Sequence, residues 1–219
     1  MPFKAVIFDL DGTLLDTLED VINTLNVVLD MHNYPTHSLD KGRYLVGHGM
    51  RELVRKALPD NTATEKLIDR LLKDLMNHYS FNWNRNSKPY PGIARMLDDL
   101  TREGLKKAIL SNKADAFTQL CAQELLAEWS FDVVMGHHEA IPHKPEPEGA
   151  LLIAGMLENA PEDILYVGDS GIDMLTASRA GMYPLGVLWG FRPAEELLEN
   201  GAKTLVEKPE EITKFLGIT

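Results

Sequence analysis

The stretch Val6-Ile7-Phe8-Asp9-Leu10-Asp11-Gly12-Thr13-Leu14 joins an apolar run to two aspartates and a glycine-threonine turn. Its apolar part, together with Lys4 and Ala5, predicts a short buried strand that ends at Asp9. Ligands of parallel α/β sheets bind at the carboxyl ends of the strands. Alternate residues of a strand point to opposite faces, so Asp9 and Asp11 can serve one site only if the chain bends after Asp9. Gly12 favours such a bend and lets the backbone approach a ligand closely.

The composition is that of an ordinary globular protein with an excess of acidic residues. The 219 residues are 44% hydrophobic and 25% charged, enough to bury one large domain or two small ones. The formal net charge of −11 argues against a nucleic-acid partner, because such binding requires a basic surface. A small anionic substrate is not excluded, since a metal ion or a few local cations can outweigh the overall charge.

Neither a disulfide framework nor a membrane span is predicted. Cys121 is the single cysteine and falls in a helical pattern, which indicates a packing role in a reducing compartment. No apolar run approaches the ~20 residues that cross a bilayer. We therefore expect a cytoplasmic protein without a membrane partner, and both a monomer and a homodimer remain open.

Helical periodicity dominates residues 16–85. Apolar residues recur three and four positions apart at 18–29 and again at 67–79. Because no β-rich segment interrupts them, residues 16–85 are predicted to form an all-helical domain. The polar stretch 82–91 is predicted to be a linker that returns to the first domain.

Short apolar strands alternate with helices from residue 92 onwards. The strands are predicted at 108–110, 132–135, 164–167, 185–188 and 204–206. Such alternation is typical of βαβ units and a parallel sheet. The predicted fold is α/β, with a doubly wound, Rossmann-like parallel sheet built from residues 1–15 and 86–219. The helical insertion, residues 16–85, is expected to cover the carboxyl ends of the strands as a cap.

Polar residues stand where the predicted strands end. Ser111, Asn112 and Lys113 follow the second strand, Lys144 lies in the loop after the third, and Asp169 and Asp173 follow the fourth. These loops converge at one edge of a doubly wound sheet. With the first loop they supply carboxylates suited to Mg²⁺, and a hydroxyl and an ammonium group suited to phosphate. The sequence therefore predicts metal-assisted phosphoryl transfer.

The same positions resemble, in order, the four motifs of the haloacid dehalogenase-like superfamily. Asp9-Leu10-Asp11-Gly12-Thr13 is similar to the first motif, Ser111 to the second, Lys144 to the third, and Gly168-Asp169 with Asp173 to the fourth. The helical insertion corresponds by position to the cap of that family. The resemblance covers the whole predicted α/β core.

The resemblance implies a role for each catalytic candidate. Asp9 would be the nucleophile that forms an aspartyl-phosphate. Asp11 would protonate the leaving oxygen and then activate water. Ser111 and Lys144 would stabilise charge on the transferring oxygens.

Metal binding is implied by the same resemblance. Mg²⁺ would be held by Asp9, Asp169 and the backbone carbonyl of Asp11, and would reduce repulsion between the nucleophile and the phosphate. Asp173 would bind the metal directly, orient its neighbours, or serve only as a helix residue. The aspartate at position 11 favours phosphoester cleavage, because the dehalogenases and phosphonate-cleaving members of the superfamily differ there.

A finer resemblance is to phosphoglycolate phosphatases, with 2-phosphoglycolate as the small phosphorylated metabolite. It rests on Gly47-His48-Gly49, on Ser111-Asn112-Lys113 and on residues 187–192. The candidate substrate-binding residues are Gly12, Asn112, Lys113, His48 and Arg51. The last two equally fit an inter-helix turn with a solvated arginine, and Lys113 equally fits a role in stabilising its own loop.

Other interpretations remain at this point. A pyrophosphatase, a sugar-phosphate phosphatase and a phosphomutase would carry the same motifs, whereas a non-catalytic binding protein would have lost one of them. His137, His138 and His143 suggest a transition-metal site, although their adjacency makes poor chelating geometry. Trp189 and Phe191 are interpreted as packing residues.

Overall fold

A six-stranded parallel sheet forms the centre of the molecule. The computed structural model describes residues 3–218. The strands in chain order are β1 (Ala5–Phe8), β2 (Leu15–Asp16), β3 (Lys88–Pro89), β4 (Lys106–Ala114), β5 (Val133–His137), β6 (Ile164–Gly168), β7 (Tyr183–Val187) and β8 (Thr204–Val206). Six of them form the sheet in the order β5-β4-β1-β6-β7-β8, with every neighbouring pair parallel. This is the order of a doubly wound, Rossmann-like sheet, so the predicted α/β fold is confirmed.

Residues 3–218 also contain ten α-helices. They are α1 (Leu18–Met31), α2 (Leu39–Gly42), α3 (Met50–Ala57), α4 (Glu65–Tyr79), α5 (Ile93–Arg102), α6 (Asp115–Leu125), α7 (Glu148–Met156), α8 (Gly171–Arg179), α9 (Ala194–Glu199) and α10 (Pro209–Phe215). None of these helices combines the length and the apolar character that a membrane crossing requires.

The two faces of the sheet bury different apolar side chains. Val6 and Phe8 of β1 belong to the cluster that contains residues of α5 and α10, whereas Ala5 and Ile7 belong to the cluster that contains residues of α7 and α8. All four β1 residues are completely buried. Because apolar layers cover both faces, the end of β1 is a rigid place to hold a side chain.

Helices α1–α4 lie between β2 and β3 in the chain, as the helical periodicity of this segment predicts. Helices α1 and α4 pack against each other through buried apolar residues, which are Val21, Ile22, Leu25, Ile68, Leu71 and Leu75. The side chain of Thr64 accepts a backbone N–H at the start of α4, and Ser38 does the same at α2. The insertion therefore has an apolar core that is continuous with one face of the sheet.

The two connections between the insertion and the sheet lie side by side. β2 pairs antiparallel with β3, so part of the stretch 82–91, which we predicted to be a linker, is a strand. The prediction missed β3 because Lys88 and Pro89 carry no apolar alternation. Next to this pair the buried carboxylate of Asp20 accepts bonds from Ser87 N at 2.8 Å and Ser87 Oγ at 2.7 Å. This contact ties the start of α1 to the returning connection.

Strand β4 is longer than predicted and irregular. It includes Ser111, Asn112 and Lys113, which we expected to follow the strand. Its regular pairing with β5 stops at Leu110 and resumes at Ala114, with a shift of register between them. Such irregularities re-aim side chains next to active sites, which is why polar residues occur within a buried strand here.

Candidate active site

Asp9 follows the central strand β1, and Asp169 follows the neighbouring strand β6. The backbone N–H of Asp9 donates to the carbonyl of Val167 at 2.9 Å, so the two strands remain paired up to their ends. The strand order reverses between β1 and β6, and ligands of doubly wound sheets bind at this switch point. Both carboxylates line one pocket there, together with Ser111 and Lys144.

Lys144 is held between two carboxylates. Its Nζ lies 2.7 Å from Asp9 Oδ1, 2.7 Å from Asp173 Oδ1 and 3.1 Å from the carbonyl of Leu110. Burial favours the neutral amine, but Asp173 and Asp9 outweigh it and hold the pKa of Lys144 well above its usual value. The ammonium group is thus charged and directed at the nucleophile predicted from the sequence.

Asp173 is bonded by protein donors through both oxygens. Oδ1 contacts Lys144, and Oδ2 accepts from Ser170 Oγ at 2.6 Å and Ser170 N at 3.2 Å. This reciprocal contact is the capping box at the start of α8. Asp173 is completely buried, so its position fixes the orientation of Lys144. Of the alternatives for this residue, the geometry favours an orienting role.

Three carboxylates of the site can hold a metal ion. One oxygen each from Asp9, Asp169 and Asp173 lies within 4.8 Å of the others, and no other such group of ligands occurs in residues 3–218. Burial and then repulsion by Asp173 raise the pKa of Asp9 well above its usual value, and raise that of Asp169 to about 7. Three carboxylates thus face the single ammonium group of Lys144, an arrangement of oxygen ligands that fits a divalent cation.

Asp169 is packed against two glycines and one backbone amide that the sequence did not reveal. A Cβ atom would lie 2.3 Å from Asp169 Oδ2 at Gly12 and 2.3 Å from Asp169 Cβ at Gly190. Phe191 N donates to Asp169 Oδ2 at 2.7 Å. Phe191 was interpreted as a packing residue, and its buried ring is consistent with that, but its backbone also orients a carboxylate.

The Asp11 carboxylate lies apart from the acidic cluster and is paired with Lys113. Lys113 Nζ lies 2.9 Å from Asp11 Oδ1 and 3.2 Å from Oδ2, and Thr17 Oγ1 donates to Oδ1 at 2.6 Å. The Lys113 ammonium also lies over the ring of Tyr79, 5.1 Å from its centroid. Burial lowers the pKa of Lys113, but Asp11 and Tyr79 outweigh it and raise the pKa above its usual value. Lys113 thus joins β4, the first loop and α4.

The helical insertion is joined to the residues around this pocket by polar contacts of Asn112 and Arg192. Asn112 Nδ2 donates to the carbonyl of Gly47 at 2.9 Å and to that of Lys144 at 3.1 Å. The buried Arg192 guanidinium donates to the carbonyl of Val46 at 2.7 Å and also contacts that of Arg43. Gly47 and Gly49 line the pocket, so the loop predicted to enter the site does so with its backbone.

His48 and Arg51 are not brought to the pocket in this arrangement. His48 is half-buried and lies beside the glycines that line it. Arg51 is exposed. Its guanidinium pairs with two exposed carboxylates of α4, Glu65 at 2.6 Å and Asp69 at 2.7 Å. The alternative of a surface arginine describes this position better than substrate binding.

The predicted histidine cluster contains one close contact. The rings of His137 and His143 stack with their centroids 3.4 Å apart. Neither residue joins a third ligand in a metal-binding group within residues 3–218. Within the described residues, His137 and His143 thus form a stacked pair.

Comparison with known proteins agrees with this geometry. A family model described as haloacid dehalogenase-like hydrolase matches residues 6–187. A phosphoglycolate phosphatase of Nitrosospira multiformis is 32% identical over 99% of this chain and 96% of its own length. The N-acetylmuramic acid 6-phosphate phosphatase of Pseudomonas aeruginosa is 30% identical over 99% of this chain and 96% of its own length.

A solved structure shares the whole architecture. It belongs to a protein of Lactobacillus delbrueckii subsp. bulgaricus that is provisionally described as a phosphoglycolate phosphatase. The TM-score is 0.93 at 28% sequence identity, and the match covers 99% of both chains. The chain therefore belongs to the haloacid dehalogenase-like hydrolase family and is an enzyme similar to the family's phosphoglycolate phosphatases.

Proposed function

We propose that this enzyme is a Mg²⁺-dependent phosphatase of small phosphomonoesters, which acts through an aspartyl-phosphate on Asp9. The observation that carries the proposal is the contact of Asp9 Oδ1 with Lys144 Nζ at 2.7 Å, beside Asp169 at the switch point of the sheet. Since Lys144 contacts Oδ1, Oδ2 is the oxygen left to attack phosphorus. The relatives described as phosphoglycolate phosphatases make 2-phosphoglycolate the first substrate to test.

The protein groups around Asp9 supply orientation and positive charge. A carboxylate needs no base to become a nucleophile, but it must approach an anionic phosphate. Lys144 and the Ser111 hydroxyl line the pocket where the transferring oxygens would lie. Asp9 and Asp169, with the carbonyl of Asp11, would hold Mg²⁺, which neutralises charge shared by nucleophile and phosphate.

Asp11 is the proposed acid and base. It lies two residues beyond the nucleophile and lines the same pocket, and Lys113 and Thr17 orient its carboxylate. One group in this position can protonate the leaving oxygen and later take a proton from the water that attacks the phosphoenzyme.

Residues 16–85 are proposed to act as a cap over this chemistry. The contacts of Asn112 with Gly47 and of Arg192 with Val46 support a closed position that excludes water from the pocket. A cytoplasmic location remains a prediction, supported by the single buried cysteine.

Phosphate release from a panel of substrates tests the function. The panel contains 2-phosphoglycolate, p-nitrophenyl phosphate, a sugar phosphate, a nucleoside monophosphate and pyrophosphate, each measured with Mg²⁺ and with a chelator. We expect Mg²⁺-dependent release that is fastest from 2-phosphoglycolate. A flat profile would reject the named substrate but not the chemistry, and release that persists in chelator would reject the metal requirement. Conversion of a sugar phosphate to its isomer without phosphate release would favour a phosphomutase.

Asp11→Asn should separate the two half-reactions. Loss of the acid should slow 2-phosphoglycolate hydrolysis by about 10²–10³-fold, since alkoxide leaving groups need a proton. p-Nitrophenolate needs none, so the variant should release one equivalent of it in a burst and then stall at the phosphoenzyme. Stopped-flow absorbance measures the burst. Equal slowing of both substrates without a burst would contradict the acid–base role.

A further inference from the structure

The pocket wall supplied by the helical insertion carries no charge. Its lining residues are Val21, Val46, Gly47, Gly49, Met50 and Leu53. A leaving group with several hydroxyls would find few partners on this wall, and an unpaired polar group loses free energy on burial. Any charge on the leaving group must therefore be met by residues of the α/β core.

Three cationic side chains of the described chain line the pocket, and two of them are held mainly by other groups of the protein. Lys144 contacts Asp9, Asp173 and the Leu110 carbonyl, which accounts for its three N–H donors. Arg192 donates to backbone carbonyls of the insertion and lies 3.4 Å from Glu196. Both side chains are thus already bound to groups of the protein.

Lys113 is the third cation, and its position matches a leaving-group carboxylate. Its Nζ donates to both oxygens of Asp11, and its other close partner is the face of the Tyr79 ring, which is not a carboxylate. The side chain is 2% exposed, which makes its charge effective because water screens it little. The ester oxygen should lie against Asp11, its proposed proton donor. In 2-phosphoglycolate the carboxylate carbon is two bonds from that oxygen. Lys113 is hydrogen-bonded to Asp11, so its ammonium group lies at a similarly short distance from the expected position of the ester oxygen.

We infer that Lys113 is the specificity-determining residue, which selects compact phosphomonoesters whose leaving group carries a carboxylate next to the ester carbon. The inference rests on the proposed phosphatase function and deepens it. The ammonium group pairs with the substrate carboxylate, while the apolar wall of the insertion limits the size of the leaving group. Larger, polyhydroxylated phosphoesters are disfavoured by the same wall.

The test compares two substrates that differ at the carboxylate. These are 2-phosphoglycolate and 2-hydroxyethyl phosphate, in which a neutral hydroxymethyl group replaces the carboxylate. The wild-type enzyme should have a higher kcat/KM for 2-phosphoglycolate. Lys113→Met keeps the length of the side chain without its charge and should lower that kcat/KM by about 10²-fold or more, mainly through KM. The kcat/KM for 2-hydroxyethyl phosphate should fall by a much smaller factor.

Lys107→Met is the matched control, because Lys107 is a buried lysine at the opposite end of β4. It should leave the ratio of the two kcat/KM values unchanged. An equal loss for both substrates in Lys113→Met would assign Lys113 a purely positioning role and overturn the inference. If Lys113→Met does not fold, the ratio of the two wild-type kcat/KM values is the test. A wild-type enzyme that does not prefer 2-phosphoglycolate would overturn the inference. Absence of phosphate release by wild type from every phosphoester of the panel, 2-phosphoglycolate included, would instead reject the proposed function itself.

Discussion

Asp9→Asn is expected to abolish phosphate release, with a loss of about 10⁴-fold or more. The substitution keeps the size and shape of the side chain and removes the nucleophilic charge, so binding contacts of the pocket remain. Steady-state phosphate release with Mg²⁺ and 2-phosphoglycolate measures the loss. Asp30→Asn, at an exposed position of α1, is the matched control and should retain wild-type turnover.

The same substitution should not weaken the fold. Burial and repulsion by Asp173 raise the pKa of Asp9, so the ionised carboxylate destabilises the folded state at neutral pH in the absence of metal. The melting temperature of Asp9→Asn in chelator should therefore equal or exceed that of wild type. Mass spectrometry supplies the chemical proof, since a phosphorylated Asp9 peptide should accumulate in Asp11→Asn and be absent from the double variant. Turnover within tenfold of wild type would contradict a nucleophilic Asp9.

Lys144→Met should cost both activity and stability. The ammonium group lies 2.7 Å from both Asp9 and Asp173, and its removal leaves these buried carboxylates uncompensated. Breaking one partner of a buried ion pair costs about 3–5 kcal/mol, and loss of a preorganised positive group costs about 10²–10³-fold in kcat. Denaturant unfolding in chelator measures the first effect, and phosphate release measures the second.

The stability loss should depend on pH in a defined direction. Lys144 lowers the raised pKa of Asp9, so without the ammonium group that pKa rises further, and a raised carboxyl pKa favours the folded state at low pH. That contribution is lost as pH increases from the unfolded pKa through the folded one. The difference in unfolding free energy from wild type should therefore shrink between pH 7 and pH 5. A difference that grows toward low pH would contradict the charge argument.

Two further variants separate charge from packing. Adding Asp173→Asn to Lys144→Met removes the partner charge and should recover part of the lost stability, because neighbouring substitutions are not additive. Lys107→Met, a change of the same kind at a buried lysine outside the site, should cost less. Equal losses in the two lysine variants would indicate that packing, not the ion pairs, determines the effect.

The sequence was sufficient to predict the fold class and the positions of the sheet strands, because both depend on local patterns. Apolar runs bounded by polar loops predicted all six strands of the sheet, although β4 proved longer than 108–110. The β2–β3 pair was missed, since its residues have no apolar periodicity and pair only through the approach of distant segments. The irregular end of β4 was missed for the same reason.

In the candidate site, too, local patterns predicted the residues but not the contacts between them. Asp9, Ser111, Lys144 and Asp169 were predicted because each follows an apolar strand, and the parallel sheet brings the ends of such strands to one edge. The contact of Lys113 with Asp11 joins residues 102 positions apart, and that of Arg192 with Val46 joins residues 146 positions apart. Contacts between residues so far apart in the chain cannot be predicted from local sequence patterns.

Residue types, their spacing and the periodicity of the chain determined which groups are present and at which edge of the sheet they lie. Tertiary structure alone decided how they act on one another: Lys144 between two carboxylates, the Phe191 amide on Asp169, and Arg51 held away from the pocket by Glu65 and Asp69. The physical reason is the distance along the chain over which each kind of interaction acts. Strand and helix patterns depend on neighbours a few positions away, whereas charge pairing in the pocket depends on distances that only packing of the whole chain sets.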